Sequence, residues 1–154
     1  PPPPPPPLFQ AEDGIRDALV GLVGSEMCIR DSVQIVKGWV DDKGETQDKV
    51  FDVVWSDDRK PGADGKLPSV GNTVDIKKAT WTNTIGAPEL ITVWEDPEFD
   101  PDQRAFYYAR AIEIPTPRWT AYDAQRFKVD MSDDVPMTTQ ERAYSSPIWY
   151  TPKS

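Results

Sequence analysis

Ala105-Phe-Tyr-Tyr-Ala-Arg-Ala-Ile-Glu-Ile114 decides the fold. The run contains neither glycine nor proline, it is rich in aromatic and apolar side chains, and Asp96-Pro-Glu-Phe-Asp-Pro101 and Pro115 bound it on either side, so it reads as a strand. A period of two puts Phe106, Tyr108 and Arg110 on one face and Tyr107, Ala109 and Ala111 on the other. Outward from it, Val33-Gln-Ile-Val-Lys-Gly-Trp-Val40 alternates and is β-branched, Asp41-Asp-Lys-Gly44 is a turn signal, and Lys49-Val-Phe-Asp-Val-Val-Trp55 reads as the antiparallel neighbour. Residues 56–71 hold three glycines and two prolines among charges and read as a long loop. Residues 72–83 predict another strand through Val74, Ile76, Ala79 and Trp81, with an irregularity between Ile76 and Ala79. Glu89 to Trp94 predicts one more. Ala121 to Phe127 suits one or two helical turns, with Thr120 as N-cap. Arg142 to Trp149 completes the set, its Pro147 marking an edge or a bulge. Five or six strands, long loops and no solenoid repeat predict a mainly β fold: an incomplete, sandwich-like antiparallel unit with one short helix.

The chain before Val33 has another character. Gln10 to Asp17 back-translates to CAA GCA GAA GAC GGC ATA CGA GAT, which resembles the outer primer of a short-read sequencing library. Gly21 to Ser32 back-translates to a sequence resembling the transposon end of the same library, and Ala18, Leu19 and Val20 stand where a sample index would sit. Residues 1–32 are therefore expected to be an adapter-derived, non-native leader, and residues 33–154 the C-terminal β-rich portion of a larger protein. The competing readings are a polyproline II arm at Pro1 to Pro7 and an apolar helix or signal-like segment from Ile15 to Ile29. Against a signal, the segment opens on prolines and passes through Glu12 and Asp13 instead of a basic region.

Composition narrows the function. The formal charge is -9, and setting the leader aside leaves 15 basic against 21 acidic residues, a charge of -6. No basic stripe follows a phosphate backbone, so nucleic acid is excluded as an expected partner. No apolar run is long enough for a membrane span. The single cysteine, Cys28, lies in the leader, so thiol content indicates no compartment. All six tryptophans and five tyrosines follow Val33, enough large side chains for one small core.

Catalytic chemistry finds little support. The chain has no histidine, whereas sites that activate water on a metal usually combine histidine with carboxylates. Asp57-Asp58 with Asp64, and Asp96, Glu98, Asp100 and Asp102, are acidic enough for a hard cation but lack the spacing of a calcium loop, so solvated acidic loops are expected, with no metal site and no cofactor in this part of the chain. Pro61-Gly-Ala-Asp-Gly-Lys66 lacks the Walker spacing and a following helix, and reads as a surface turn. Ser145-Ser146 lacks a base and reads as turn or strand. No catalytic residue is assigned. The most notable polar set is Arg104, Arg110, Glu113 and Arg118 beside Trp119 and Tyr122. Arg110, Arg118, Trp119 and Tyr122 are the substrate-facing candidates, because guanidinium groups bind carboxylate or phosphate bidentately. The bland alternative pairs Arg110 with Glu113 or Glu141 over a tryptophan. Pro115-Thr-Pro-Arg-Trp-Thr120 forms either a lid or a bridge between strands.

The combination of Val33-Gln-Ile-Val-Lys-Gly-Trp39, Asn83-Thr-Ile-Gly-Ala-Pro-Glu-Leu90, Ala105-Phe-Tyr-Tyr-Ala-Arg110, Glu113-Ile-Pro-Thr-Pro-Arg-Trp119 and Glu141-Arg-Ala-Tyr-Ser-Ser-Pro-Ile-Trp-Tyr150 resembles the C-terminal end of a bacterial family catalogued as domain of unknown function 3604. The resemblance covers essentially residues 33–154. It implies a parent several times longer, whose N-terminal body is similar to the polymerase-and-histidinol-phosphatase superfamily of metal-dependent, phosphoesterase-like hydrolases. A divalent metal is implied for that parent, with the missing body as this portion's partner, and export to the periplasm or beyond is implied as well. Two functions follow: a C-terminal non-catalytic portion of a metal-dependent hydrolase, inactive alone, or a free-standing β-sandwich module for protein or glycan contact. The direction in which Trp119 and Tyr122 point separates them.

Overall fold

The computed structural model describes the strand backbone of residues 18–23 and residues 29–152. The expected polyproline arm and most of the leader lie outside the described residues. The architecture is mainly β and antiparallel: β1 (Ala18–Val23), β2 (Arg30–Val40), β3 (Thr46–Trp55), β4 (Glu89–Trp94), β5 (Ala105–Glu113), β6 (Thr116–Pro117), α1 (Trp119–Phe127), β7 (Thr138–Thr139), β8 (Arg142–Tyr144) and β9 (Ile148–Tyr150). A five-stranded sheet runs β3-β2-β5-β8, with β9 also paired to β5. Two-stranded sheets join β1 to β4 and β6 to β7.

The two strands richest in apolar alternation occupy the middle, where both faces can be covered. β2 lies between β3 and β5 in antiparallel register, with Val36 opposite Val50 on one side and Tyr108 on the other. A bulge between Val33 and Gln34 brings both Val53 and Val54 against the core. Alternation then sorts the faces as the sequence predicts: Val33, Ile35, Ala105 and Tyr107 are buried on the inner face, where Leu90 of β4 packs on them. Trp94 meets Phe51 at 5.0 Å between ring centroids. β4 thereby forms a partial second layer, the incomplete sandwich that the strand count implies. A smaller core joins Ile29, Val70 and Ile114.

Several boundaries differ from the sequence reading. β2 starts at Arg30, three residues before the alternating run, and Asp31 is held by an ion pair with Arg59 at 2.5 Å. Residues 72–83 form no strand; a single bridge joins Asp75 to Thr80 around a tight turn. The Asp75 side chain accepts the Lys78 backbone N–H, and Ala79 takes a positive φ of 50°, so a local side-chain bond displaces the extended conformation. Helix α1 begins one residue before Thr120 and is N-capped by Arg118 without a side-chain bond. Thr120 instead donates its hydroxyl to the Pro136 carbonyl at 2.6 Å, fastening the helix to the following loop. The predicted last strand is two strands, because Pro147 has no N–H to continue the ladder. Between them, Ser145 bonds Ala109 twice: its N–H donates to the Ala109 carbonyl, and its hydroxyl accepts the Ala109 N–H, both at 2.9 Å.

Candidate functional site

The outer face of the five-stranded sheet carries the densest chemistry. Register places Gln34, Val36 and Gly38 of β2 beside Arg110, Tyr108 and Phe106 of β5, with Tyr144 of β8 and Trp149 of β9 beyond them. The rings form a row. Trp149 lies 5.2 Å from Phe106, Phe106 lies 6.4 Å from Tyr108 and parallel within 7°, and Tyr108 lies 6.2 Å from Tyr144. Trp149 is 70% exposed and Tyr144 58%, so the row faces solvent.

Arg110 stands at the Tyr144 end of this row. Its Nε donates to Gln34 Oε1 at 2.8 Å, and its Nη2 donates to the same oxygen. Gln34 is oriented in turn by Asp52, which accepts its amide N–H at 2.7 Å. The sequence reading that paired Arg110 with Glu113 or Glu141 over a tryptophan is therefore corrected. Those acidic residues lie beyond the strand position that faces Arg110, and a neutral amide across β2 holds the guanidinium without neutralising it. No ion pair reaches Arg110 among the described residues.

The other candidates lie apart from this row. Arg118, Trp119 and Tyr122 sit at the start of α1, whose only buried residues are Thr120 and Ala121. Trp119 is 63% exposed and Tyr122 44%, and they stand one helical turn apart on an outward face. Among the described residues, no hydrogen bond or ring contact joins these three to Arg110, and Arg104 is exposed without a side-chain partner. Pro115 to Thr120 acts as a bridge: β6 pairs with β7, and Arg118 donates its backbone N–H to the Met137 carbonyl. A shallow open cleft beside Ile76, Lys77, Lys128, Met131 and Met137 borders the other end of α1.

Of the two acidic clusters only Asp96 is buried, while Asp57, Asp58, Asp64, Glu98, Asp100 and Asp102 are exposed. Asp96 is buried and accepts hydrogen bonds from Lys37 Nζ at 2.7 Å and from the Tyr107 hydroxyl at 2.8 Å. Lys37 Nζ also donates to the Glu98 carbonyl at 2.7 Å, which fastens the 95–104 loop to β2. Burial pushes the Asp96 carboxyl up, but bonds from Lys37, the Glu98 backbone and Tyr107 outweigh it and hold the group below the usual aspartate value. The Tyr107 phenol moves the opposite way, raised by burial and by the carboxylate that it faces. Glu98 pairs with Lys49, and Asp57 accepts the Gly86 N–H at 3.1 Å. Among the described residues no group of three such side chains is arranged to hold a metal ion. Pro61 to Lys66 is a turn closed by the Gly62 N–H on the Lys66 carbonyl at 2.9 Å.

Sequence reasoning picked out Arg110 and the strand that carries it but missed Gln34, Asp52, Tyr144 and Trp149. Gln34 could have been found from the alternation of β2, which puts it on the face of Val36 and Gly38. Its position opposite Arg110 depends on strand register, which a single sequence does not specify.

Fold and face together define an antiparallel, mainly β unit with an aromatic, guanidinium-bearing sheet face. A family model described as a protein of unknown function, DUF3604, matches residues 25–152, and the chain belongs to that family. No curated protein and no solved structure matches.

Proposed function

We propose that this chain is the non-catalytic β portion of a larger metal-dependent hydrolase, inactive alone, with the metal ligands supplied by a body upstream of Val33. The observation that carries this reading is the outward face of α1. A nine-residue helix that buries only Thr120 and Ala121 while exposing Trp119, Tyr122 and Phe127 leaves most of its apolar surface for another element. Arg118, half-buried beside it with no side-chain partner among the described residues, adds a cation to that surface. The lack of histidine, and the use of Asp96 and Glu98 in ion pairs, agree with a structural rather than a catalytic part.

The test is to read the source DNA across the codon for Val33 after adapter trimming and to express the restored frame. The expected result is an upstream segment rich in His and Asp motifs and a protein that takes up divalent metal and cleaves a phosphate ester, with Trp119→Ser weakening the union of the two parts. A genuine start codon near Val33 would remove the hydrolase reading.

A further inference from the structure

The sheet face carries an independent signal, which needs no upstream body. Exposed aromatic rings are ordinarily scattered, whereas here exposed Trp149 and Tyr144 flank half-buried Phe106 and Tyr108 in a single row across three strands, at spacings of 5.2, 6.4 and 6.2 Å. Such a row offers successive π faces to rings that carry C–H groups on their flat sides, as sugars do. Phe106 and Tyr108 are parallel, and the residue opposite Phe106 on β2 is Gly38, so no side chain of β2 stands up beside Phe106 to block approach.

The row also ends in positive charge. Gln34 occupies the edge of Arg110 made by Nε and Nη2, which leaves Nη1 without a partner among the described residues. Every sealed side-chain nitrogen or oxygen among the described residues has a partner, so Nη1 reaches the surface. Arg142, on the same face of β8 two residues from Tyr144, is exposed, and its side chain has neither hydrogen bond nor ion pair among the described residues. Asp52 and Asp48 of β3 lie on the same face, opposite Gln34 and Gly38, but Asp52 is bonded to Gln34 and neither forms an ion pair with Arg110 or Arg142, whose positions on β5 and β8 are one register step apart. An oriented guanidinium with a free end binds a carboxylate through paired N–H donors.

We propose that this face binds an acidic polysaccharide, with sugar rings stacked along Trp149, Phe106, Tyr108 and Tyr144 and a uronate carboxylate held by Arg110 and Arg142. The stacking supplies affinity with little sequence demand, and the guanidinium groups select the acid over its neutral ester. Gln34 and Asp52 are positioning residues, because they fix the plane of the guanidinium without touching the ligand.

The full 154-residue chain would be titrated calorimetrically with oligomers of polygalacturonate, alginate and hyaluronan, and with methyl-esterified polygalacturonate as the neutral control. The expected result is saturable, salt-sensitive binding to at least one acid, weakened about tenfold or more in its ester, as loss of a charge-assisted bidentate contact implies. Trp149→Ala and Arg142→Gln, both at exposed positions, are expected to weaken binding while the thermal unfolding curve stays in place. Arg110→Lys should retain part of the affinity and lose the preference for acid over ester. Absence of binding to all three acids, equal binding of acid and ester, or unchanged binding by Trp149→Ala would each overturn the proposal. So would a dimer in sedimentation with Trp149 shielded from acrylamide quenching, which would make a second copy the occupant of the face.

Discussion

Phe106 lies directly over Gly38 across the β2–β5 pair: a Cβ at Gly38 would stand 2.3 Å from the ring's Cζ. The glycine is needed for the space that it leaves, since the ring fills the position of the missing side chain and so belongs both to the sheet and to the aromatic row. Gly38→Ala is expected to lift Phe106 away from the sheet and to cost about 1–3 kcal/mol, as overpacking does. Urea denaturation measures the loss, and the fluorescence of Trp149 should change with it. A variant as stable as the parent chain would show that the ring does not need this seat.

Lys37 and Asp96 form a sealed pair, with side chains 3% and 0% exposed. Lys37→Met strands the carboxylate and is expected to destabilise by about 3–5 kcal/mol, the usual cost of breaking a buried pair from one side. Lys37→Met combined with Asp96→Asn removes the uncompensated charge and should recover part of that loss. A double variant less stable than the single one would contradict this account.

The same pair sets an acid limit. The Asp96 carboxyl is held below its ordinary 3.8 in the folded chain, so its contribution is complete above that value and is lost as pH falls through the folded pKa. Stability is therefore expected to decline with acid below about pH 4, and Asp96→Asn to flatten that slope. Denaturation midpoints measured from pH 6 to pH 2 would check it.

Tyr107 sets the alkaline limit. Its phenol is raised above the ordinary 10.0, so its stabilising effect is full below pH 10 and fades as pH rises through the folded value. Absorbance titration near 295 nm should show one of the five tyrosines lagging behind the rest, and Tyr107→Phe should abolish the lag.

Gly86 has a φ of +82°, and an added Cβ would meet Ile29 at 2.5 Å, Ile114 at 2.6 Å and the Arg30 carbonyl at 2.9 Å. A side chain can move aside, but the backbone oxygen of a paired strand cannot. Gly86→Ala is expected to lower stability by about 1–3 kcal/mol through backbone strain, with further loss from the clash, and thermal melting would register it.

The readable parts of the sequence were those where one force acts alone. β2, β3 and β5 follow from alternation, because their apolar sets can face only one side, and the same alternation placed Phe106, Tyr108 and Arg110 together. Residues 72–83 misled because Val74, Ile76, Ala79 and Trp81 look like a strand, while Asp75 favours a turn through its own side chain. Thr120 looks like a cap by residue type, but the helix starts at Trp119 and places it inside the first turn, where its hydroxyl donates to the Pro136 carbonyl. Arg110 was visible; its partner was not, since Gln34 is 76 positions away in sequence. The row ending in Trp149 and Tyr144 depends on Pro147 splitting one strand in two, whereas the sequence reads Pro147 as an edge or a bulge within one strand.

That division has a consequence for the order in which the molecule is made. β5 leaves the ribosome complete at Glu113, whereas β8 and β9, which cover its other edge, end only at Tyr144 and Tyr150. At ordinary rates of synthesis the gap lasts roughly 2–7 s, during which a strand carrying Phe106, Tyr107 and Tyr108 has a free hydrogen-bonding edge. The nascent chain is thus open to mispairing between polysomal neighbours until β8 and β9 are made, and a premature stop between Pro115 and Arg142 would release it with that edge bare.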